Sequence, residues 1–330
     1  MFNNKTILIT GGTGSFGQEC TKFLLSNYNL KKLIIYSRDE NKQYLMAQKY
    51  NQKNIRYFIG DVRDYDRINM AMREVDFVIH AAALKHVPIA EYNPIECIKT
   101  NIYGAQNIIQ ASINCKVKKI IALSTDKATN PINLYGASKL AAEKLFIAAN
   151  SLVGFQNTKF SVVRYGNVID SRGSVIPLFR KMINEKSNFL PVTDKRMTRF
   201  FLTLKDSVKF VVKSFSLMNN GEVFIPKMYS LKIEDLARNL KPGIKIKIVG
   251  MRPGEKIDEL LCSSEENHNT LEFKDHYIIF RDNESLLNYN KLLKGEKRGK
   301  KVSKSFFYSS LNNSRLLEIK DIAKKFPNLI

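Results

Sequence analysis

The chain has 330 residues, 44% of them apolar, and its 53 Lys and Arg against 31 Asp and Glu give a formal charge of +22. That length allows a large buried core in two lobes, and no run approaches the ~18 consecutive apolar residues of a membrane span. The basic residues are spread out, and their one dense run, 294–304, lacks interleaved aromatics, which argues against a nucleic-acid partner and leaves a surface able to steer phosphorylated ligands. In chain order, strands are predicted at 5–10, 32–36, 55–59, 76–80, 118–124 and 160–164, with helices near 16–28, 40–51, 65–72, 94–114 and 136–150. This alternation predicts an α/β fold: a Rossmann-type doubly wound parallel sheet over residues 1–165. Beyond it the pattern is irregular, with strands at 199–203, 223–225 and 245–248, helices near 175–185, 204–218, 232–240 and 255–262, and a last short helix over 314–326. Residues 166–330 are expected to form mainly a smaller C-terminal α/β substrate lobe, with the chain crossing between lobes more than once.

Cys20, Cys97, Cys115 and Cys262 lack the close spacing of a metal-ligand set; they read as reduced thiols of a cytoplasmic protein, and no metal is expected. MFNNK leads directly into the first strand, with no signal peptide expected.

The first strand, Ile7 to Ile9, runs into GGTGSFG, where Gly11, Gly14 and Gly17 form GxxGxxG and a helix begins near Ser15. Glycines there allow a tight turn and close approach to a pyrophosphate at the helix N-terminus, so Gly11, Thr13, Gly14, Ser15, Phe16 and Gly17 are the expected phosphate cradle. After the second strand, YSRDENK places Ser37, Arg38 and Lys42 where an NAD-type fold usually carries an acid for the ribose 2′-hydroxyl. Positive charge suits a 2′-phosphate, so the expected cofactor is NADP, with Asp39 facing away. Asp61 and Val62 fall at the adenine edge, Asp61 alternatively serving as a strand-end cap. Ala81, Ala82, Ala83 and Lys85 follow the fourth strand, and their loop is expected to converge with the glycine turn and Ser124–Asn130 beyond the C-terminal strand ends.

Within STDKATNPINLYGASK, Asp126 and Lys127 are adjacent and Lys139 follows Tyr135 at i+4, on one face of a helix. A phenol with a pKa near ~10 is a poor base at neutral pH, and a nearby ammonium lowers that value.

Through GGTGSFG, YSRDE, YFIGDVRD, HAAALKHVPIAEYNP, the TDKA-to-YGASK block, RYGNV, MTRF and MRPGEK, residues 3–280 resemble the extended short-chain dehydrogenase/reductase family. The resemblance continues more loosely through YSSLNN. Within that family the chain is similar to the soluble, inverting UDP-N-acetylglucosamine 4,6-dehydratases, which open the route to pseudaminic acid for flagellin glycosylation. One departure is Asp170, where relatives usually carry a small residue. The resemblance implies an NADP-dependent lyase acting on UDP-N-acetylglucosamine, assembled as a homo-oligomer, dimer or hexamer, without stable membrane insertion. Tyr135 would take the C4 hydroxyl proton as that carbon gives hydride to NADP. Lys139 would bind the nicotinamide ribose and lower the Tyr135 pKa, while Thr125 holds the C4 oxygen. Lys127, as a neutral amine, would remove the C5 proton, and Asp126 would protonate the departing C6 hydroxyl. Hydride returns to C6, and reprotonation on the opposite face of C5 yields UDP-2-acetamido-2,6-dideoxy-β-L-arabino-hex-4-ulose.

Asp-Lys at this site contrasts with the Asp-Glu pair of nucleoside-diphosphate-glucose dehydratases, and membrane-bound retaining relatives generally carry Met at the position of Tyr135. For the substrate, Lys85 is expected at the sugar or diphosphate, with His86 satisfying a loop carbonyl. Asn167 is expected near the diphosphate, and Arg199 and Arg252 supply guanidinium groups suited to phosphate. Glu255 would anchor Arg252 or bind the uridine ribose, and Arg172 and Val175 would line the nucleotide channel; Glu255 and Arg172 alternatively form inter-lobe salt bridges. Two other readings stay open: a 4-epimerase, or a dehydratase of another aminosugar or capsule branch, and a non-catalytic NADP-binding regulatory protein.

Overall fold

Short apolar runs separated by turn residues organise the first half of the chain. In the computed structural model, which describes residues 1–154, 156–169, 171, 173–293 and 298–327, strand and helix alternate as β1 (Thr6–Thr10), α1 (Ser15–Asn27), β2 (Lys32–Ser37), α2 (Glu40–Lys49), β3 (Ile55–Ile59), α3 (Tyr65–Ala71) and β4 (Phe77–His80). Then come α4 (Val87–Tyr92), α5 (Pro94–Ile98), a π-helical turn at Lys99–Tyr103, α6 (Gly104–Asn114), β5 (Lys119–Thr125), α7 (Leu134–Ala149) and β6 (Lys159–Tyr165). The single helix expected over 94–114 is thus a jointed one, and a further helix precedes it. Pro94 holds Asn93 out of helical conformation, at φ −122 and ψ 64, and so separates α4 from α5.

The second half holds β7 (Asn167–Val168), α8 (Val175–Asn184), β8 (Phe189–Val192), β9 (Thr198–Leu202), α9 (Leu204–Leu217), β10 (Val223–Pro226), β11 (Tyr229–Lys232), α10 (Ile233–Leu240) and β12 (Lys245–Ile248). It ends with β13 (Leu260–Cys262), β14 (Thr270–Glu272), β15 (His276–Ile279), α11 (Asn283–Leu292), β16 (Lys300–Lys301), β17 (Tyr308–Ser309) and α12 (Ile319–Lys325). Two expectations fail here. Residues 255–262 are not helical: the carbonyls of Lys256 and Ile257 accept from the Arg199 guanidinium, and Leu260–Cys262 pairs with β17. The last helix begins at Ile319 rather than Ser314, because the preceding segment is tied to β11, Ser230 donating to the Arg315 carbonyl and Leu317 to that of Ser230.

Ten strands form the main sheet, in the order β16-β14-β15-β10-β6-β5-β4-β1-β2-β3. From β10 to β3 every pairing is parallel, while β15, β14 and β16 extend it antiparallel. All five residues of β1 are buried, as expected of a parallel strand covered on both faces. The strand order reverses between β1 and β4, and crevices beyond the C-terminal strand ends open at such a point. A separate apolar cluster, including Ile176, Phe179, Val192, Phe201, Leu231 and Leu236, organises the smaller layer opposite this edge. Among the described residues no helix is long and apolar enough to cross a membrane.

Candidate active site

A cleft of about 1450 Å³ runs from the glycine turn after β1, past β4 and β5, to β9 and the loop before β13. Gly11 has φ +65, and a Cβ there would lie 3.0 Å from the Ala81 backbone. Only glycine suits this contact between the turn and the loop after β4. Gly14 precedes α1 without a side-chain cap, so the first-turn amides of that helix are the donors a pyrophosphate takes. Thr13 and Ser37 hydroxyls meet at 2.7 Å. Thr10 Oγ1 accepts from the amides of Ala81 and Ala82 at 3.1 and 3.2 Å. Asn101 clasps Leu84 through its amide at 2.8 Å and its carbonyl at 2.9 Å, which fixes the loop carrying Ala83 and Lys85. These features fit a dinucleotide.

Polar partners around Ser37–Lys42 and Asp61 are more constrained than the sequence suggested. Asp39 accepts the Lys42 amide at 2.9 Å, capping α2, and also pairs with the Lys42 ammonium. Asp61 accepts from the Arg63 amide and guanidinium and lies 3.5 Å from Arg38. Burial tends to raise the Asp61 carboxyl, but Arg63, with help from Arg38, holds it below its ordinary range. Val62, beside it, is buried.

At the cleft's centre, β5 ends at Thr125, and Asp126–Ala128 make a 3-10 turn. Thr125 Oγ1 donates to Asp126 Oδ1 at 3.0 Å and accepts the Lys127 amide at 3.3 Å. Lys127 Nζ lies 3.0 Å from Asp126 Oδ1 and 3.1 Å from Glu259 Oε1. Asp126 is wholly buried, and its Oδ2 has no hydrogen-bond partner among the described residues. Tyr135 is the second residue of α7, whose first turn is capped by Asn133 accepting the Gly136 amide at 2.8 Å. A Cβ at Gly136 would collide with the Lys127 carbonyl; glycine therefore lets the helix sit against the Asp126–Ala128 turn.

Electrostatics revise two expectations. Burial pushes the Tyr135 phenol up to about 12, and the cation that pulls it back is Lys127, aided by the Thr125 hydroxyl. That is the role the sequence had assigned to Lys139, whose Nζ instead donates to the Leu123 carbonyl at 2.6 Å. Burial brings the Lys139 ammonium down to about 8, against the charge of Glu143. Lys127 itself is not neutral: burial favours the free amine, but Asp126 and Glu259 outweigh it and hold the ammonium well above the ordinary lysine range. Burial raises the Asp126 carboxyl against the pull of Lys127, and Glu259 adds to the rise.

On the far side, Asn167, Val175, Arg199, Arg252 and Glu255 line the cleft together with Lys85. Arg199 is committed elsewhere than to phosphate. Its guanidinium donates to the carbonyls of Thr198, Lys256 and Ile257 at 2.7, 2.8 and 3.1 Å. The Arg252 amide, rather than its guanidinium, donates to Glu255, at 3.2 Å. The His86 ring occupies the space beside Gly173 where a side chain would go. Arg172 and Asp170 lie outside the described residues. Sequence reasoning missed Glu259, 2% exposed and in contact with Lys127. The helix expected near 255–262 concealed it, and no local signal marks it as part of the site.

Residues 7–281 match the polysaccharide biosynthesis protein family. Over 318 residues the chain is 59% identical to a Campylobacter jejuni protein named UDP-N-acetylglucosamine 4,6-dehydratase (inverting), covering 95% of this chain and 94% of that one. It is 45% identical over 338 residues to a Rickettsia bellii protein named UDP-glucose 4-epimerase, covering 100% and 97%. Among solved structures, Pen from Bacillus thuringiensis matches with a TM-score of 0.90 at 38% identity, over the whole of both chains.

Proposed function

Since the chain belongs to the polysaccharide biosynthesis protein family, we infer that it is a nucleotide-sugar 4,6-dehydratase that acts on UDP-N-acetylglucosamine and inverts C5. The observation carrying this reading is the pair of buried Asp126 and half-buried Lys127 beside Tyr135, with Lys127 Nζ 3.0 Å from Asp126 Oδ1. Epimerisation at C4 needs a hydride acceptor and the Tyr135–Lys139 couple. Loss of the C6 hydroxyl needs in addition a base for C5 and an acid for C6, and Lys127 and Asp126 are the groups for those tasks. The 59% identity to a named inverting dehydratase supports the same choice over the epimerase.

The cofactor in this reading is NADP, which would take hydride from C4 and return it to C6. Gly11, Thr13, Gly14, Ser15, Phe16 and Gly17 hold its pyrophosphate, Ser37, Arg38 and Lys42 its 2′-phosphate, and Asp61 and Val62 its adenine. Ala81, Ala82, Ala83 and Lys85 flank its remaining length, with Tyr135 and Lys139 at the nicotinamide ribose. Tyr135 receives the C4 hydroxyl proton, and the Thr125 hydroxyl orients that oxygen. Asp126, which burial favours in the protonated form, delivers a proton to the departing C6 oxygen. Lys127 takes the C5 proton once its own charge is relieved. Lys85, Asn167, Arg172, Val175, Arg252 and Glu255 hold the nucleotide sugar, and Arg199 braces the loop beside them. The product is UDP-2-acetamido-2,6-dideoxy-β-L-arabino-hex-4-ulose, a precursor of pseudaminic acid for flagellin glycosylation. The enzyme works in the cytoplasm as a homo-oligomer.

Proton NMR of UDP-N-acetylglucosamine incubated with the protein in heavy water tests this reading. Loss of the C6 hydroxyl, deuterium at C5 and an early L-arabino 4-keto sugar are expected. C4 epimerisation without loss of that hydroxyl would assign the epimerase reading instead.

A further inference from the structure

The Glu259 backbone is held by Ser310 from two sides. Its amide donates to Ser310 Oγ at 2.9 Å, and its carbonyl accepts from the Ser310 amide at 2.8 Å. Ser310 is itself bound to Thr198 through both its hydroxyl and the Thr198 carbonyl. The Glu259 residue lines the cleft. Oε1 lies 3.1 Å from Lys127 Nζ and 3.7 Å from Arg199 Nε. Oε2 is buried and has no hydrogen-bond partner among the described residues. A carboxylate serving only as a structural tie normally has both oxygens satisfied, so this open oxygen needs an explanation.

Lys127 presents a complementary difficulty. Its ammonium, held between two carboxylates, cannot remove a proton from carbon until it has lost one of its own. Among the described residues the carboxylates paired with Nζ are Asp126 and Glu259. Asp126 must carry a proton to the C6 oxygen and so cannot also receive one from Lys127. We propose that Glu259 is a positioning residue of the acid–base centre, a buried carboxylate that holds the Lys127 ammonium at the cleft and accepts the proton that Lys127 sheds before attacking C5. The inference rests on the dehydratase reading above.

The transfer is balanced within the pair. One Nζ–H bond breaks, its electrons stay on nitrogen as the lone pair, and an O–H bond forms at Oε1. The neutral amine then takes the C5 proton, and the Glu259 proton passes back through Lys127, which touches both carboxylates, to the Asp126 carboxylate left when C6 loses water, so that the centre is reset. Charged groups around the carboxylate set its resting state. Lys127 faces it from the turn after β5, Arg199 from β9 and Lys256 from its own loop, with the Lys256 ammonium turned to the Thr129 carbonyl at 2.7 Å. Asp126 and Asp258 are the nearby acids, and Tyr135 lies beyond Lys127 on α7. Burial opposes ionisation of Glu259, but Lys127 and Arg199 outweigh it. Substrate entering the cleft excludes water, and loss of water disfavours the separated charges of the pair.

Glu259→Gln keeps the shape and a hydrogen-bond acceptor while removing the proton acceptor. The full-length, NADP-loaded enzyme and this variant are compared in UDP-N-acetylglucosamine turnover from pH 6 to 10. The wild type is expected to hold kcat nearly level from pH 7 to 9. In the variant kcat should fall by roughly 10²-fold at pH 7, within the range for general acid–base groups, with KM changed less than about threefold. Its kcat should then climb roughly tenfold per pH unit, because Lys127 must lose its proton to solvent. Glu259→Asp, which keeps the charge but draws it back, should restore part of kcat and flatten the profile. If Glu259→Gln does not fold, a Glu259→Asp variant with reduced kcat and unchanged KM supports the proposal; wild-type kcat in it overturns the proposal. A level pH profile for Glu259→Gln, or a loss confined to KM, assigns Glu259 a structural role. A wild type that does not dehydrate this sugar removes the functional reading itself, whatever the variant does.

Discussion

Tyr135 and Lys139 illustrate how burial governs single side chains in this cleft. Their i+4 spacing places them on one helix face, yet Lys139 directs its ammonium to the Leu123 carbonyl and burial lowers it to about 8. Its unfolded value is near ~10.4, so between about pH 8 and 10.4 the unfolded chain binds the extra proton and stability must rise with pH. Below pH 8 both states are protonated and the cost of the buried charge is felt in full. Urea unfolding of the cofactor-free protein from pH 7 to 10 should therefore show a gain on the order of 2–3 kcal/mol from this group. Lys139→Met should lack that component of the rise. Identical slopes in the two proteins would mean that Lys139 is not desolvated in the free protein.

Among the elements, the start of α7 joins the proposed acid–base centre to the proposed substrate loop. Asn133 Oδ1 caps the helix, while Nδ2 donates to the Gly254 carbonyl at 2.8 Å, linking the Tyr135 helix to the loop of Arg252 and Glu255. The two bonds are separable by substitution. Asn133→Asp keeps a good capping acceptor and loses the donor; Asn133→Ala loses both. The first should raise KM for the nucleotide sugar several-fold with little change in melting temperature, and the second should in addition cost about 1 kcal/mol of stability. Steady-state kinetics and thermal unfolding on the same preparations separate the effects. Equal KM in Asn133→Asp and wild type would mean that the link does not position the loop.

For the molecule as a whole, the buried Arg164 of β6 is the tie between the main sheet and later chain. Its guanidinium binds Glu143 of α7 at 3.1 and 2.6 Å, Glu266 at 3.0 Å twice, and the Leu261 carbonyl at 2.9 Å. Glu143→Gln would leave a buried cation with one charged partner fewer. Because breaking a buried pair from one side typically costs about 3–5 kcal/mol, and Glu266 remains, urea unfolding should show a loss near the lower end, about 3 kcal/mol. A loss below about 1 kcal/mol would show that Glu266 alone compensates Arg164. The chain also returns to the main sheet by backbone pairing: β10 pairs with β6 in parallel, and β15 continues from β10.

The sequence by itself determined the doubly wound sheet, the glycine turn and the approach of Asp126, Lys127 and Tyr135. These depend on short-range constraints: two-sided burial makes Ile7 to Ile9 a continuous apolar run, and backbone sterics demand glycine at Gly11. The jointed helix after Tyr92 was partly legible through Pro94, and the added β14 and β15 strands were not, because they are short and pair only with distant chain. Tertiary structure alone decided the charge of Lys127, since Glu259 reaches it through space from the loop before β13. It likewise occupied the Arg199 donors with backbone carbonyls and paired Lys42 with Asp39. Local pattern follows from sterics and the period of burial, whereas protonation and hydrogen-bond partners depend on which groups the fold brings within a few ångströms and how much water it excludes.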